Sequence, residues 1–242
     1  MNIYREAPIK LEPEVTAPET EASYLTFDIR LGPGTGANVS KYRSRVKKYT
    51  GGTKEEWLKW REEVSTLVTD VPLSTPDAVH RAVKGLLRGD ALARYTRVIA
   101  ALQDPPTLDD INNRLDDMTM ELMSIDSIRL TLEYLRQVRK PRTMSVQDFL
   151  ARIVEINSKI PFMPGGIVED KLNDEQLKQI IENGVPVAWR RQQRSAHLIS
   201  FDLQETVSYF DELQALENES FRRNNNNNAN NKNKNHTTVQ EN

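Results

Sequence analysis

The chain has 242 residues, of which 38% are hydrophobic and 28% charged, and its formal net charge is −2 at pH 7. This balance excludes a uniformly basic nucleic-acid-binding protein, so a contact with nucleic acid would come from local basic patches. Cysteine is absent, which excludes disulfides, thiol nucleophiles and cysteine-based zinc sites and fits a reducing compartment. Residues 1–6 lack an apolar run, and no segment approaches the roughly 18 apolar residues that span a bilayer. We therefore expect a soluble, cytoplasmic protein without a signal peptide.

Residues 1–40 are predicted to form a disordered or extended N-terminal arm. Residues 1–23 are rich in proline and glutamate, a composition that does not favour a folded core. Residues 24–31 then alternate in a strand-like way up to a glycine-rich turn at residues 32–36, which predicts either a short hairpin or an extended arm docked on the body. A phosphate-binding loop is disfavoured at these glycines because no Gly-Lys-Ser/Thr follows and no βαβ unit surrounds them.

A basic run without an intervening acid follows the arm, and it consists of Lys41, Arg43, Arg45, Lys47 and Lys48. Runs of this kind are common, so the pattern favours the solvated face of a linker. The functional alternative is a set of contacts with the phosphates of RNA.

An explicit helix start lies at Thr53. Thr53 and Glu56 have the spacing of a capping box, in which each side chain binds the backbone N–H of the other residue. Trp57 and Trp60 lead an apolar stripe at helical spacing, which predicts a helix over about residues 53–69. Because large aromatic side chains are mostly buried, core packing is favoured over an interface role for both tryptophans.

The following sequence predicts four more helices in the first half of the chain. Proline- or glycine-marked stops separate them, and the last one runs from about Ser124 to Val138. Five helices with short connections indicate an α-helical bundle over residues 41–140.

Residues 141–222 predict a second helical domain, with four helices. Ser145 caps the first of them, and Asn173 opens the second with a capping-box pattern. Trp189 anchors the third, whereas the loop at residues 160–166 contains two prolines and two glycines and is predicted not to be helical.

The C-terminal residues 223–242 are predicted to be disordered, because residues 224–235 are nearly all asparagine and cannot bury a core. Weak contacts with RNA are assigned to the basic residues in and beside this tail, namely Arg222, Arg223, Lys232 and Lys234. A further basic cluster, residues 190–194, follows Trp189. This cluster leaves three roles open: contact with RNA, contact with acids of a neighbouring subunit, or balance of a helix C-terminus.

No arrangement in the sequence predicts catalysis. His80, His197 and His236 lie far apart, and none has a second ligand at metal-binding spacing. The acids between residues 109 and 121 follow the polar face of an amphipathic helix, which favours hydrated carboxylates over a Mg²⁺ site. We therefore predict no enzyme activity, no cofactor and no metal.

Three stretches resemble the Gag capsid proteins of gypsy- and copia-class LTR retrotransposons. In residues 49–60, an aromatic residue, a glycine turn and an acidic cap precede Trp57 and Trp60. Residues 143–153 are similar to the start of the capsid C-terminal domain, where the retroviral major homology region lies. Residues 172–189 begin Leu-Asn-Asp and end Asn-Gly-Val-Pro-Val-Ala-Trp, which is similar to a stretch of copia-like Gag proteins.

The resemblance implies an all-α fold of two small helical bundles with disordered termini, like the N- and C-terminal domains of retroviral capsids. It implies a homo-oligomer that self-assembles into virus-like particles enclosing retrotransposon RNA, with no membrane and no small-molecule substrate as partner. Phe149 would be the buried aromatic residue of the second stretch, and Arg152 its basic residue. The candidate assembly or core anchors are Trp57, Trp60, Phe149, Arg152, Trp189 and Arg190.

The sequence departs from the Gag pattern in lacking a Cys-Cys-His-Cys zinc knuckle. The alternative to a particle-forming protein is a domesticated, Gag-derived helical adaptor or RNA-binding protein, which would share the same fold.

Overall fold

The computed structural model describes residues 9–11, 24–30, 41–70, 75–102, 106–196 and 201–237. Over these residues the chain is mostly helical, with nine α-helices and one two-stranded antiparallel sheet. The predicted predominance of helix is confirmed, and the sheet is a small addition to it.

Two strands precede the helices: β1 is Tyr24–Arg30 and β2 is Lys41–Lys47. The helices are α1 Lys54–Asp70, α2 Pro76–Leu86, α3 Gly89–Ile99, α4 Leu108–Leu122, α5 Ser127–Gln137, α6 Val146–Ser158, α7 Asp174–Gly184, α8 Val187–Ser195 and α9 Leu203–Thr237. Each of these helices begins in a segment where the sequence predicts one, but α9 extends beyond its predicted end.

Several helix starts are fixed by side chains that bind the backbone N–H groups of the first turn. The predicted capping box at α1 is present: the Thr53 N–H donates to Glu56 Oε2 at 3.0 Å, and the Glu56 N–H donates to Thr53 Oγ1 at 3.2 Å. Asn173 and Gln176 form the same reciprocal pair at α7, with both distances 3.0 Å. These bonds satisfy donors that a helix cannot satisfy internally, so they define where each helix begins.

The loop at residues 160–166 corrects the sequence prediction, because Ile160–Phe162 forms one 3₁₀ turn. The Met163 N–H donates to the carbonyl of Ile160 at 3.1 Å and closes the turn. Proline is compatible with the first positions of a helical turn, where its missing N–H has no partner to lose, so Pro161 does not prevent it.

Contacts between residues divide the chain into two compact units. Unit 1 comprises Met1–Tyr134 and Ile156–Lys171, and unit 2 comprises Leu135–Glu155 and Leu172–Asn242. The domains predicted at residues 41–140 and 141–222 are each continuous in sequence, whereas these units are not.

The core of unit 1 collects the apolar faces of α1 to α4. Helix α2 contacts both α3 and α4, and the strands β1 and β2 contact α2 and α1 respectively. Fully buried side chains in this core include Trp57, Leu58, Leu86, Tyr95 and Ile111.

The core of unit 2 lies around the contact between α7 and α9. Fully buried side chains in it include Phe149, Ile153, Ile181 and Phe210. Their spacing along α6, α7 and α9 follows the helical period that the sequence displays.

The N-terminal arm contributes to the core of unit 1, which corrects the prediction of disorder at residues 9–11. Ile9 and Leu11 are buried, and the Leu11 N–H donates to the hydroxyl of Tyr134 at 2.9 Å. The Ile-Lys-Leu segment is too short to change the average composition of residues 1–23. Its two apolar residues at alternate positions point to the same side of an extended peptide and can still pack on the core. The rest of residues 1–23 lies outside the described part of the chain.

Helix α9 continues through the asparagine-rich segment as far as Thr237, where composition predicts disorder. A helix that packing has already nucleated can be extended at low cost per residue. Residues 238–242 and the side chains from residue 221 onward lie outside the described part. In the described helices, none is both long and apolar enough to cross a membrane.

Candidate functional site

The hairpin of β1 and β2 brings the predicted basic run into a regular ladder. The register pairs Tyr24 with Lys47, Thr26 with Arg45, Asp28 with Arg43 and Arg30 with Lys41. Because alternate residues of a strand share a face, these eight positions form one face of the ladder. We call them the basic face.

The basic face concentrates positive charge on a chain whose overall charge is negative. Five of its eight positions are lysine or arginine and one is aspartate, and the side chains at positions 28, 30 and 41 lie outside the described part. Arg43 and Arg45 are exposed, and Lys47 is half-buried. The basic run from Lys41 to Lys47 is thus a β-strand, which corrects the interpretation of it as a linker, and Lys48 follows the strand.

An aromatic ring lies within the basic face. The guanidinium carbon of Arg45 lies 4.7 Å from the centroid of the Tyr24 ring, in a cation–π contact. Tyr24 is the diagonal neighbour of Arg45 across the ladder, a position within reach of aromatic and long side chains. The contact orients the guanidinium over the face and restricts its rotamers.

The opposite face of the hairpin fixes it to helices of unit 1. Val46 is buried, and Leu25 lies close enough to α2 that a Cβ added at Gly85 would be 3.3 Å from Leu25 Cδ1. The backbone N–H of Lys47 donates to the carboxylate of Glu63 on α1. Burial raises the pKa of Glu63, although this bond and nearby lysines oppose the shift. The strands that carry the basic face therefore pack against α1 and α2.

Trp57 and Trp60 lie in the core of unit 1, where they form an aromatic cluster with Tyr49. The Trp57 ring centroid lies 5.1 Å from that of Trp60 and 5.0 Å from that of Tyr49. The Trp57 indole N–H donates to Thr119 Oγ1 at 2.9 Å, and burial raises the pKa of Tyr49. Both tryptophans are at most 3% exposed, so neither offers a surface for assembly.

Trp189 is the corresponding anchor of unit 2. It is buried, its ring lies 6.2 Å from that of Phe210, and its indole N–H donates to Glu217 Oε1 at 2.6 Å. The Lys140 ammonium lies 5.7 Å from the centre of its ring. Burial lowers the pKa of Lys140, which Asp211 and Glu217 oppose.

The arginines that follow Trp189 are divided between interior and surface. Arg190 is half-buried, and its Nε atom is buried without a hydrogen-bond partner. Arg191 and Arg194 are exposed on α8. Arg190 thus packs through its stem, while the other two present charge to solvent.

Phe149 and Arg152 of α6 are both buried. Phe149 lies so close to Gly184 that a Cβ at Gly184 would be 2.6 Å from Phe149 Cε1. Arg152 donates to Glu155 Oε2 at 2.7 Å within the same helix. Both residues therefore belong to the packed interior of unit 2.

The acids of α4 take part in ion pairs that join helices of unit 1. Asp116 lies 2.6 Å from Arg61 of α1, and Glu121 lies 2.9 Å from Arg94 of α3. Burial lowers the pKa of Arg61, and Asp116 opposes that shift. Among the described residues, no group of three or more histidine or acidic side chains is arranged to hold a metal ion.

The one histidine with a described side chain pairs with a buried tyrosine. His80 Nδ1 lies 3.0 Å from the hydroxyl of Tyr95, and burial raises the pKa of Tyr95. His197 lies outside the described residues, as does the side chain of His236.

Five of the residues predicted to contact RNA have side chains that the structure does not describe. The side chains outside the described part are those of Lys41, Arg222, Arg223, Lys232 and Lys234. The structure brings Arg43, Arg45 and Lys47 together, and it adds Tyr24, which sequence reasoning missed. The signal for Tyr24 was its position at the start of an alternating segment that could pair with the basic run.

Comparisons of this chain with protein-family models, with curated proteins and with solved structures find no match. The likeness to Gag capsid proteins therefore rests on the three stretches of sequence described above.

Proposed function

We propose that this chain is a structural protein of the Gag capsid type, which self-assembles into particles that enclose RNA. One observation carries the proposal: each of the three stretches that resemble Gag capsid proteins supplies a buried aromatic anchor. These anchors are Trp57 on α1, Phe149 on α6 and Trp189 on α8. The stretches thus coincide with the residues on which the folded units depend.

Assembly contacts come from exposed apolar side chains, because the tryptophans are buried. In unit 1, Ile125 is 70% exposed and Val168 is 66% exposed. A Cβ at Gly165 would lie 3.9 Å from Ile125 Cδ1, so Ile125 borders the segment that leads to Val168. Unit 2 exposes Val187 and Leu216. Apolar side chains of this kind favour contact with a second copy of the chain.

The second candidate is a Gag-derived adaptor or RNA-binding protein that forms no particles. The basic face favours this alternative, because a single copy of the hairpin can contact a polyanion without any assembly. The two candidates share the fold and differ in self-association.

Light scattering and negative-stain microscopy on the purified chain separate them. We expect large, roughly spherical particles, and comparison of low with high salt and of samples with and without RNA tells whether RNA promotes them. A monomer or dimer under every condition would overturn self-assembly and leave the adaptor as the leading function.

A pair of variants tests the apolar contacts directly. Ile125→Asp with Val168→Asp places two charges on exposed apolar positions, so we expect particles to be lost while the melting temperature stays within a few degrees of that of the parent chain. The matched control is Asn112→Asp with Asn113→Asp, which adds the same charge at exposed positions of α4. Equal loss of particles in both variants would mean that net charge, and not these side chains, governs assembly.

A further inference from the structure

We propose that the basic face of the hairpin binds single-stranded RNA, with Arg43, Arg45 and Lys47 on successive phosphates and the Arg45–Tyr24 pair against a base. This inference rests on the proposed function for RNA as the partner. Its binding step is measurable without assembly.

Charge selects a polyanion as the ligand. The chain as a whole carries −2, yet three basic residues with described side chains, Arg43, Arg45 and Lys47, stand at alternate positions of one strand. Arg43 and Arg45 are exposed, so their approach to a ligand requires no rearrangement of the core. Neutralisation of phosphates by lysine and arginine, with release of counterions, supplies most of the affinity of such surfaces.

The spacing of the charges suits the backbone of an extended strand. A β-strand rises about 3.3 Å per residue, so alternate residues stand about 7 Å apart along one face. This separation is comparable with that between adjacent phosphates of an extended single strand. Lys41, Arg43, Arg45 and Lys47 occupy four consecutive positions of this alternation.

The aromatic contact favours a single strand over a duplex. Unpaired bases stack on aromatic rings and on arginine guanidinium planes, whereas the bases of a duplex are already stacked on one another. The guanidinium of Arg45 and the ring of Tyr24 lie together at 4.7 Å and form such a platform beside the phosphate contacts.

The contacts that hold the hairpin against unit 1 reduce the entropy cost of ordering the protein when it binds a ligand. Val46 is buried below the basic face, and the Lys47 N–H is held by Glu63 of α1. Because the strand is ordered by these contacts, binding needs to restrain mainly the ligand and the ends of the side chains.

Fluorescence anisotropy with the full chain tests the proposal. The probe is a labelled oligouridylate of about 12 nucleotides, which falls within the site sizes of single-strand-binding folds. Light scattering is recorded on the same samples, so binding and assembly are read separately. The test variant is Arg43→Gln with Arg45→Gln, and the matched control is Lys84→Gln with Arg97→Gln, which removes the same charge from exposed positions of α2 and α3.

We expect the hairpin variant to weaken binding on the order of ten-fold and the control to change it less than two-fold. The slope of log affinity against log salt is expected to fall by about 1.4 in the hairpin variant, since each phosphate contact on a single strand contributes about 0.7. Circular dichroism confirms that each variant is folded.

Four results would overturn the inference. Equal weakening by both variants would show that net charge alone drives binding. Tighter binding of a duplex of equal length would assign the basic face to double-stranded nucleic acid, and equal competition by polyglutamate would assign it to acidic polypeptides. Particles that form normally without any binding of the probe would reject the RNA contact but not self-assembly. Binding of the probe without particles would support the RNA contact and reject self-assembly.

Discussion

Trp57 of unit 1 and Phe149 of unit 2 are both fully buried, but their surroundings fix them by different means. In unit 1, Trp57 is held by a hydrogen bond to Thr119, and ion pairs join α4 to its neighbours. In unit 2, Phe149 is held by close approach to a glycine, without room for even one added carbon. A hydrogen bond requires a neighbouring side chain with the right polar atom, whereas close packing requires a neighbour of the right size. We therefore expect the site of Trp57 to be most sensitive to the loss of a polar group, and the site of Phe149 to an increase in side-chain volume.

The largest effect is expected from adding one methyl group to unit 2. In Gly184→Ala the new Cβ would lie 2.6 Å from Phe149 Cε1 and 2.7 Å from Phe149 Cζ. Because Phe149 is fully buried and cannot move away, we expect a loss of about 3 kcal/mol in the free energy of unfolding. Urea denaturation followed by circular dichroism measures this loss.

The control for that substitution is Gly85→Ala in unit 1. Its Cβ would lie 3.3 Å from the end of the flexible Leu25 side chain, and alanine favours a helix by about 1 kcal/mol over glycine, so no loss is expected. The double variant Gly184→Ala with Phe149→Leu should lose less stability than the sum of the losses in the two single variants, because leucine leaves room for the new methyl group. Strict additivity would show that the clash with Phe149 is not the cause.

A smaller effect is expected from removing one polar atom in unit 1. Thr119→Val keeps the shape of the side chain but leaves the buried Trp57 indole N–H without its acceptor. An unsatisfied buried donor costs about 2 kcal/mol, which urea denaturation of this variant will detect. Thr119→Ser retains the hydroxyl and should keep most of the stability. If the valine variant is as stable as the serine variant, the hydrogen bond does not hold Trp57 in place.

The smallest effect concerns the half-buried carboxyl of Glu63. Burial raises its pKa above the usual value, so the folded state disfavours the ionised form. The penalty is absent below the pKa of the unfolded chain and grows as pH rises through the raised pKa of the folded chain. We expect Glu63→Gln to melt slightly above the parent chain at pH 7 and level with it at acidic pH.

Melting temperatures measured from about pH 3 to pH 8, a range that spans the usual carboxyl pKa, test this sign. Glu55→Gln is the control, because it removes the same charge from the same helix. The opposite result would be a Glu63→Gln variant that melts below the parent chain at pH 7 and level with it at acidic pH. It would mean that the bond to the Lys47 N–H outweighs burial.

Much of the helical framework could be read from the sequence. The Thr53–Glu56 and Asn173–Gln176 capping boxes are local, since they depend on side chains three residues apart. The apolar periodicity of each helix is likewise a property of its own residues. The basic face could not be read in this way, because Arg43, Arg45 and Lys47 belong to β2 while Tyr24 belongs to a partner strand more than ten residues earlier.

The sequence by itself determined the positions and starts of the helices and the residue types available to bury, because capping and periodicity act over a few residues. The tertiary structure decided three things that depend on distant residues. It buried Trp57, Trp60 and Trp189 instead of exposing them as contacts. It docked Ile9 and Leu11 from an arm of polar composition, and it turned a basic run into one ordered face of a hairpin. Each outcome required a partner surface that local sequence does not contain.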